Sequence, residues 1–322
     1  MKKLFRLTLL SIISLAFLVA CGQKQVEVAY TVYPVQYLIE RIGGDLVTTR
    51  AFADNSIAIR SQLSEDYLDI IKTSDTIFTI GGLEPYLDII NNEIKDFDPT
   101  IIELGSKGAL TPFERYTTAI IDNVEVEVSS RYYDNPVFDN VDTYTNDPYI
   151  WLDPIMMTSM ANEIYTYFIT EIPQSKDYFE KNYDSLIIDL ANLDANYAEL
   201  KKLKGLSVAT ILPAFGRYAN NYNLRISPII LSKYGNLPSD KQLEVIKARL
   251  LNDNVQYLFV EGNLDSDIME MANSIAEDLE IELVTVYSLS NRTALQVENG
   301  EDYLHIMNQN LAELLKLENQ QE

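Results

Sequence analysis

Histidine and cysteine are almost missing from this chain. Each occurs once in 322 residues, as His305 and Cys21, and tryptophan occurs once, as Trp151. A single cysteine forms no intramolecular disulfide and builds no Cys-based zinc site. Borderline metals such as zinc bind imidazole or thiolate at about 2.0–2.3 Å in a closed tetrahedral shell, and few such groups are on offer. A Ser/His/Asp triad could draw only on His305. HExxH, GxSxG and P-loop patterns do not occur. Paired carboxylates say little in a chain with 48 acidic residues, so no enzyme class is indicated. Positive charge is scarce as well: 25 Lys and Arg stand against those 48 Asp and Glu, for a net charge of −23. A surface of that sign repels nucleic acid, which is discarded as a partner.

What is present points to a folded extracytoplasmic protein. A hydrophobic content of 47% argues for real cores rather than disorder, and the length suggests two domains. The N-terminus reads MKKLFRLTLLSIISLAFLVACGQ. Lys2, Lys3 and Arg6 precede an apolar stretch from Leu7 to Ala20 that is shorter than the roughly 20 residues of a membrane span and suits a secretory signal over residues 1–20. Leu-Val-Ala before Cys21 resembles a bacterial lipobox, in which Cys21 is lipidated and becomes the first mature residue. Stable anchoring takes more than one acyl chain, and a diacylglyceryl cysteine supplies two. The expected location is therefore the outer face of the cell membrane, with a lipidated tether over residues 21–25.

Strands and helices alternate from there. VEVAYTVYP, LVTTRAFA, TIFTIGG and TIIELG read as strands, with VQYLIERIGG, SEDYLDIIKTSD and LEPYLDIINNEI as the helices between them. Residues 122–147, acidic and aromatic, read as an excursion with a hairpin at VEVEV. DPIMMTSMANEIYTYFITEI reads as a helix. Apolar residues spaced by three and four then predict one long helix over 175–204, about 45 Å at 1.5 Å per residue. The strand-helix pattern restarts with LSVATIL, LRISPII, VQYLFV and ELVTVY, and the chain ends in a helix, DYLHIMNQNLAELLKL. The expected fold is α/β, with two lobes of parallel-type sheet. The N-terminal lobe covers 26–174 and the C-terminal lobe 205–322, joined by one rigid spanning helix.

Six segments in order carry a family resemblance: TVYP…ERIGGD, TSDTIFTIGGLEPYL, DPYIWLDP, LPAFGRYANNYNLR, FVEGN and DYLHIMNQNL. Together they resemble the zinc and manganese solute-binding lipoproteins of ABC transporters, also called lipoprotein-receptor-associated antigens. The resemblance implies two α/β lobes on one long helix and delivery of solute to ABC permease and ATPase subunits. It also implies a single divalent cation held between the lobes by three His, or two His and a Glu, together with an Asp. Carried over one at a time, these ligand positions fall on Ile59 (Ala58 if the loop shifts by one), Tyr149, Leu212 and Tyr287. None is a usual metal ligand, so zinc or manganese is expected from the family and not from these residues.

The altered pocket has several readings. Tyr149 and Tyr287 can simply fill the space of a metal. As paired phenolates they can bind ferric iron. With Arg60 and Arg217, which adjoin two of the positions, they can bind a small organic or anionic ligand. Glu84 and Glu261 are acidic neighbours that belong to structural motifs of the family, and His305 is read as a helix-surface residue. Two functions follow: the solute-binding subunit of an importer with altered or no cargo, or a receptor-fold lipoprotein retained for adhesion or protein interaction without transport.

Overall fold

The computed structural model describes residues 25–54, 56–203 and 205–318. Cys21 and the expected signal over 1–20 lie outside the described residues.

Eight short strands make two four-stranded parallel sheets. The first contains β1 (Val26–Tyr30), β2 (Val47–Ala51), β3 (Thr76–Thr79) and β4 (Ile101–Glu103), in the order β2-β1-β3-β4. The second contains β7 (Ser207–Thr210), β8 (Arg225–Pro228), β9 (Tyr257–Val260) and β10 (Glu282–Thr285), in the order β10-β9-β7-β8. Counted from each lobe's first strand, the two sheets are wound identically. β3 and β9 are buried at every residue, as strands covered on both faces must be, and YLFV of β9 reads as an unbroken apolar run. Between the sheets in sequence, β5 (Arg115–Ile121) and β6 (Val124–Ser130) pair as an antiparallel hairpin. Its two turn residues, Asp122 and Asn123, have φ of 51° and 64°, the left-handed pair that a two-residue hairpin turn requires.

Helix α1 (Tyr33–Gly43) opens with Pro34 in its first turn and buries Val35, Leu38, Ile39 and Ile42, a stripe spaced by three and four. The shorter α2 (Tyr67–Thr73) and α3 (Asn91–Phe97) complete the first lobe's crossovers. After α4 (Pro154–Glu171), the long helix α5 runs from Lys176 to Tyr197 and buries Phe179, Leu186, Leu190, Leu193 and Tyr197. Its 22 α-helical residues span about 33 Å, less than the length expected for 175–204. The chain tightens into a 3₁₀ turn over Ala198–Lys202 instead of continuing the helix.

Both ends of α5 are held. Asn182 Nδ2 donates to the Ile42 carbonyl at 3.1 Å, and Arg41 pairs with Asp189 at 2.6 Å. Tyr197 Oη donates to the Met307 carbonyl at 2.7 Å, on the C-terminal helix. The second lobe adds α6 (Gly216–Tyr222), α7 (Asp240–Asn252), α8 (Ser266–Leu279), α9 (Ala294–Glu298) and that last helix, α10 (Tyr303–Glu318). Among the described residues no helix is long and apolar enough to cross a membrane.

One contiguous core reaches from Val26 to Leu317 and takes in both lobes and α5. A smaller cluster, including Ala29, Phe52, Ile70, Ile77 and Tyr86, covers the other face of the first sheet. Polar ties reinforce the junction. Asp153 caps α4 by accepting from Ile155 N at 2.8 Å, and its other oxygen accepts from Asn221 Nδ2 of α6 at 2.9 Å. Replacing Asp153 with Ala removes a cap and an interlobe hydrogen bond together. Its cost is expected to be about 2 kcal/mol, read as a lower urea midpoint, with Asp153→Asn losing less because an amide oxygen can still cap.

Candidate functional site

In open α/β sheets, ligands bind beyond the carboxyl ends of the strands. Three of the four positions that the sequence resemblance singled out lie in such places. Ile59 follows β2 in a 3₁₀ turn (Ala58–Arg60), and Leu212 lies two residues past β7. Tyr287 lies two residues past β10, and Tyr149 precedes the 3₁₀ turn Ile150–Leu152 that leads into α4. Ile59, Tyr149 and Leu212 are all part of the continuous core, exposed by 2%, 0% and 1%, and Tyr287 packs against it half-buried.

Tyr149 is held by its neighbours. Its backbone N donates to Asp147 Oδ1 at 2.9 Å, and its ring lies 5.1 Å from that of Trp151. Trp151 Nε1 in turn donates to the Ser288 carbonyl at 2.6 Å, beside Tyr287. Asn310 of α10 fixes the Tyr287 backbone from both sides, accepting from its N at 2.9 Å and donating to its O at 2.7 Å. The hydroxyl of Tyr149 has no hydrogen-bond partner among the described residues. Burial drives its pKa well above the usual phenol value, and Tyr144, Glu261 and Asp147 add to the rise. Burial also raises Tyr287, with help from Glu301 and Glu261. Both phenols are therefore held neutral.

The two arginines do not meet in one pocket. Arg60 turns outward across the seam and pairs with Asp265 and Asp267 of the second lobe, at 2.7 Å each. Arg217, 4% exposed, donates to the Ala109 carbonyl at 2.8 Å and lowers the pKa of Asp147 by its charge, although burial leaves that carboxyl raised overall. Glu84 is buried where β3 ends and accepts from Thr31 Oγ1 at 2.6 Å, Ile80 N at 2.7 Å and Gly81 N at 3.0 Å. Glu261 is buried just past β9. Its carboxyl accepts from the backbone and hydroxyl of Ser288, and burial pushes its pKa up to about 7. Oε1 of Glu261 has no partner among the described residues. His305 is exposed on α10.

Asp147 was not among the sequence candidates, although its place beside Pro148 at the head of a rigid segment marks it. Asp265 and Asp267 give no sequence signal, being 205 and 207 residues from the arginine they bind.

The side chains at those four positions do not suit a zinc or manganese cation. Two of the four positions are hydrocarbon and two are neutral phenols. No group of three or more His, Cys, Asp and Glu that could hold a metal ion exists among the described residues.

Two like-wound parallel sheets, closed across one seam and backed by one helix, define a two-lobe solute-receptor fold. This chain belongs to the ZnuA family, the periplasmic component A of zinc-uptake complexes, whose sequence model matches residues 28–317. Over 170 residues it is 27% identical to the high-affinity zinc uptake system protein ZnuA of Bacillus subtilis, covering 52% of each chain. The same identity extends over 176 residues of the zinc-binding lipoprotein AdcA of Streptococcus pneumoniae, 54% of this chain and 34% of that one. The chain thus spans about half the length, or less, of these curated relatives. In fold it is similar to the laminin-binding adhesin Lmb of Streptococcus agalactiae, with a TM-score of 0.69 at 19% identity over 92% of this chain and all of that one.

The buried carboxyl at Glu261 makes stability depend on pH. Between the usual value of 4.5 and about 7 the folded chain keeps a proton at Glu261 that the unfolded chain has lost. Stability therefore falls as pH rises through that window, by roughly 3 kcal/mol at 1.36 kcal/mol per unit. Urea titrations at pH 5 and pH 8 should show wild type losing more stability over the interval than Glu261→Gln, which carries no charge to bury.

Proposed function

We propose that the protein is the extracytoplasmic solute-binding component of a metal-cation-type ABC importer, anchored by lipidated Cys21, whose seam takes neither zinc nor manganese through the family's four positions. On this reading it delivers solute to permease and ATPase subunits and carries out no chemistry of its own. Family membership over residues 28–317 supports the receptor role. The observation that carries the cargo reading is the burial of Ile59, Tyr149 and Leu212, each at most 2% exposed, at positions onto which the sequence resemblance carries the family's ligands.

The chemistry runs against a metal. A phenol must lose its proton to ligate as an anion, which at neutral pH costs about 4 kcal/mol for an ordinary pKa near 10. Burial at Tyr149 increases that cost. Ile59 and Leu212 offer no lone pair in compensation, and Glu261 alone is too few donors. The same cost weighs against ferric iron, which would need both phenols ionised. Tyr149 therefore acts as packing, a large neutral side chain in the place of an ion. The name of the neighbouring adhesin, a laminin-binding protein, favours a second reading in which the fold is kept for surface interaction without transport.

Metal analysis of protein purified without chelators, followed by titration with zinc, manganese and ferric iron, tests the cargo reading. Wild type and Tyr149→Phe are expected to be alike, with no stoichiometric zinc or manganese in either. One equivalent of zinc held at submicromolar affinity, and lost in Tyr149→Phe, would overturn it. Metabolic labelling with a fatty acid tests the anchor: wild type should take up label and Cys21→Ala should not. Co-purification of permease and ATPase subunits separates the importer role from adhesion alone.

A further inference from the structure

The family's cation sits between the lobes, so a seam that lacks the cation needs another way to stay closed. Arg60 lies one residue beyond the Ile59 position and belongs to the first lobe. Its Nη1 reaches Asp267 Oδ1 and Asp265 Oδ2, and its Nη2 reaches Asp267 Oδ2, each at 2.7 Å. These carboxylates stand at the start of α8, in the second lobe. The stem of Arg60 is packed too. Gly235, at φ +68°, passes so close that a Cβ there would come within 2.9 Å of both Arg60 Cγ and the Ile59 carbonyl. Nearby, Asn291 Nδ2 of the second lobe donates to the Ser56 carbonyl.

We propose that Arg60 is a tethered cation: its guanidinium bridges the lobes beside the ligand position and holds the seam shut with no solute bound. The assignment rests on the reading above, in which no metal occupies that position. Several features distinguish it from an ordinary surface pair, which contributes little. The fork is bidentate on Asp267, a second carboxylate joins it, and the arginine side chain is only 25% exposed. A guanidinium cannot be deprotonated at physiological pH, so the bridging charge is always present where a bound ion would come and go. Arg60 is thus a specificity-determining residue, because it makes closure of the receptor independent of cargo.

Hydrogen exchange of the full chain tests this. In Arg60→Ala, amides of residues 56–63, 232–238 and 264–268 should exchange about tenfold faster than in wild type, while those of 147–153 and 286–290 stay protected. Arg60→Asp should open the same three segments, and the swap Arg60→Asp with Asp267→Arg should close them again, since the bridge depends on opposite charge and not on which lobe carries it. An Arg60→Ala protein that exchanges like wild type overturns the proposal, as does a swap that exchanges as fast as Arg60→Asp alone. Zinc binding by wild type would instead overturn the reading of function, so failure of one is separable from failure of the other.

Discussion

Residues 147–153 are buried, and several of their polar groups are bonded to distant parts of the chain. Trp151 is the centre. Its indole N–H reaches the Ser288 carbonyl at 2.6 Å in the second lobe, and its own carbonyl accepts from Tyr303 Oη of the C-terminal helix at 2.6 Å. Asp153 at one end binds Asn221 of α6, and Asp147 at the other accepts from the backbone N of Tyr149. A buried donor left without an acceptor costs about 1–3 kcal/mol, so these bonds hold the lobes in register by penalising any displacement. The rest of the seam is built around that segment.

A core that continues from one lobe into the other goes with that arrangement. Hinge receptors separate their lobes by changing the backbone angles of a few loop residues. Here the long helix is pinned to the first lobe through Ile42 and Arg41 and to the C-terminal helix through Met307. Apolar packing is close to solid density and resists continuous deformation, so opening the seam would mean exposing apolar side chains along its length. Large lobe motion is disfavoured by the same contacts that give the fold its stability.

Much of this was legible in the sequence, for identifiable reasons. The eight strands of the two sheets could be read because each is a short run rich in β-branched and aromatic residues between helical stretches, and YLFV, buried at every residue, is apolar throughout. The matched winding of the sheets could not be read, because strand order depends on crossovers and not on local pattern. α6 was missed: GRYANNY is polar, and Phe215 before it takes an unusual left-handed φ of 70°. VEVEV marks only the hairpin's second strand, and its first begins earlier, at Arg115. The motifs singled out Tyr149 and Tyr287, while the sequence could not say that Arg60 pairs with the second lobe. Its partners are more than 200 residues distant, and only the folded chain brings them together.

The β5–β6 hairpin is a ribbon of two strands, and among the described residues no third strand pairs with either edge. Near its turn Ile120, Ile121 and Val124 are 77%, 52% and 60% exposed. Free edges next to apolar side chains are templates for pairing with another chain. On the ribbon's outer face Ile120 lies opposite Glu125, and Glu127 follows on the same side. Two copies approaching edge to edge would bring carboxylates together before any ladder could form. The acidic surface that first excluded nucleic acid also acts, at this ribbon, as a colloidal spacer that keeps neighbouring molecules apart.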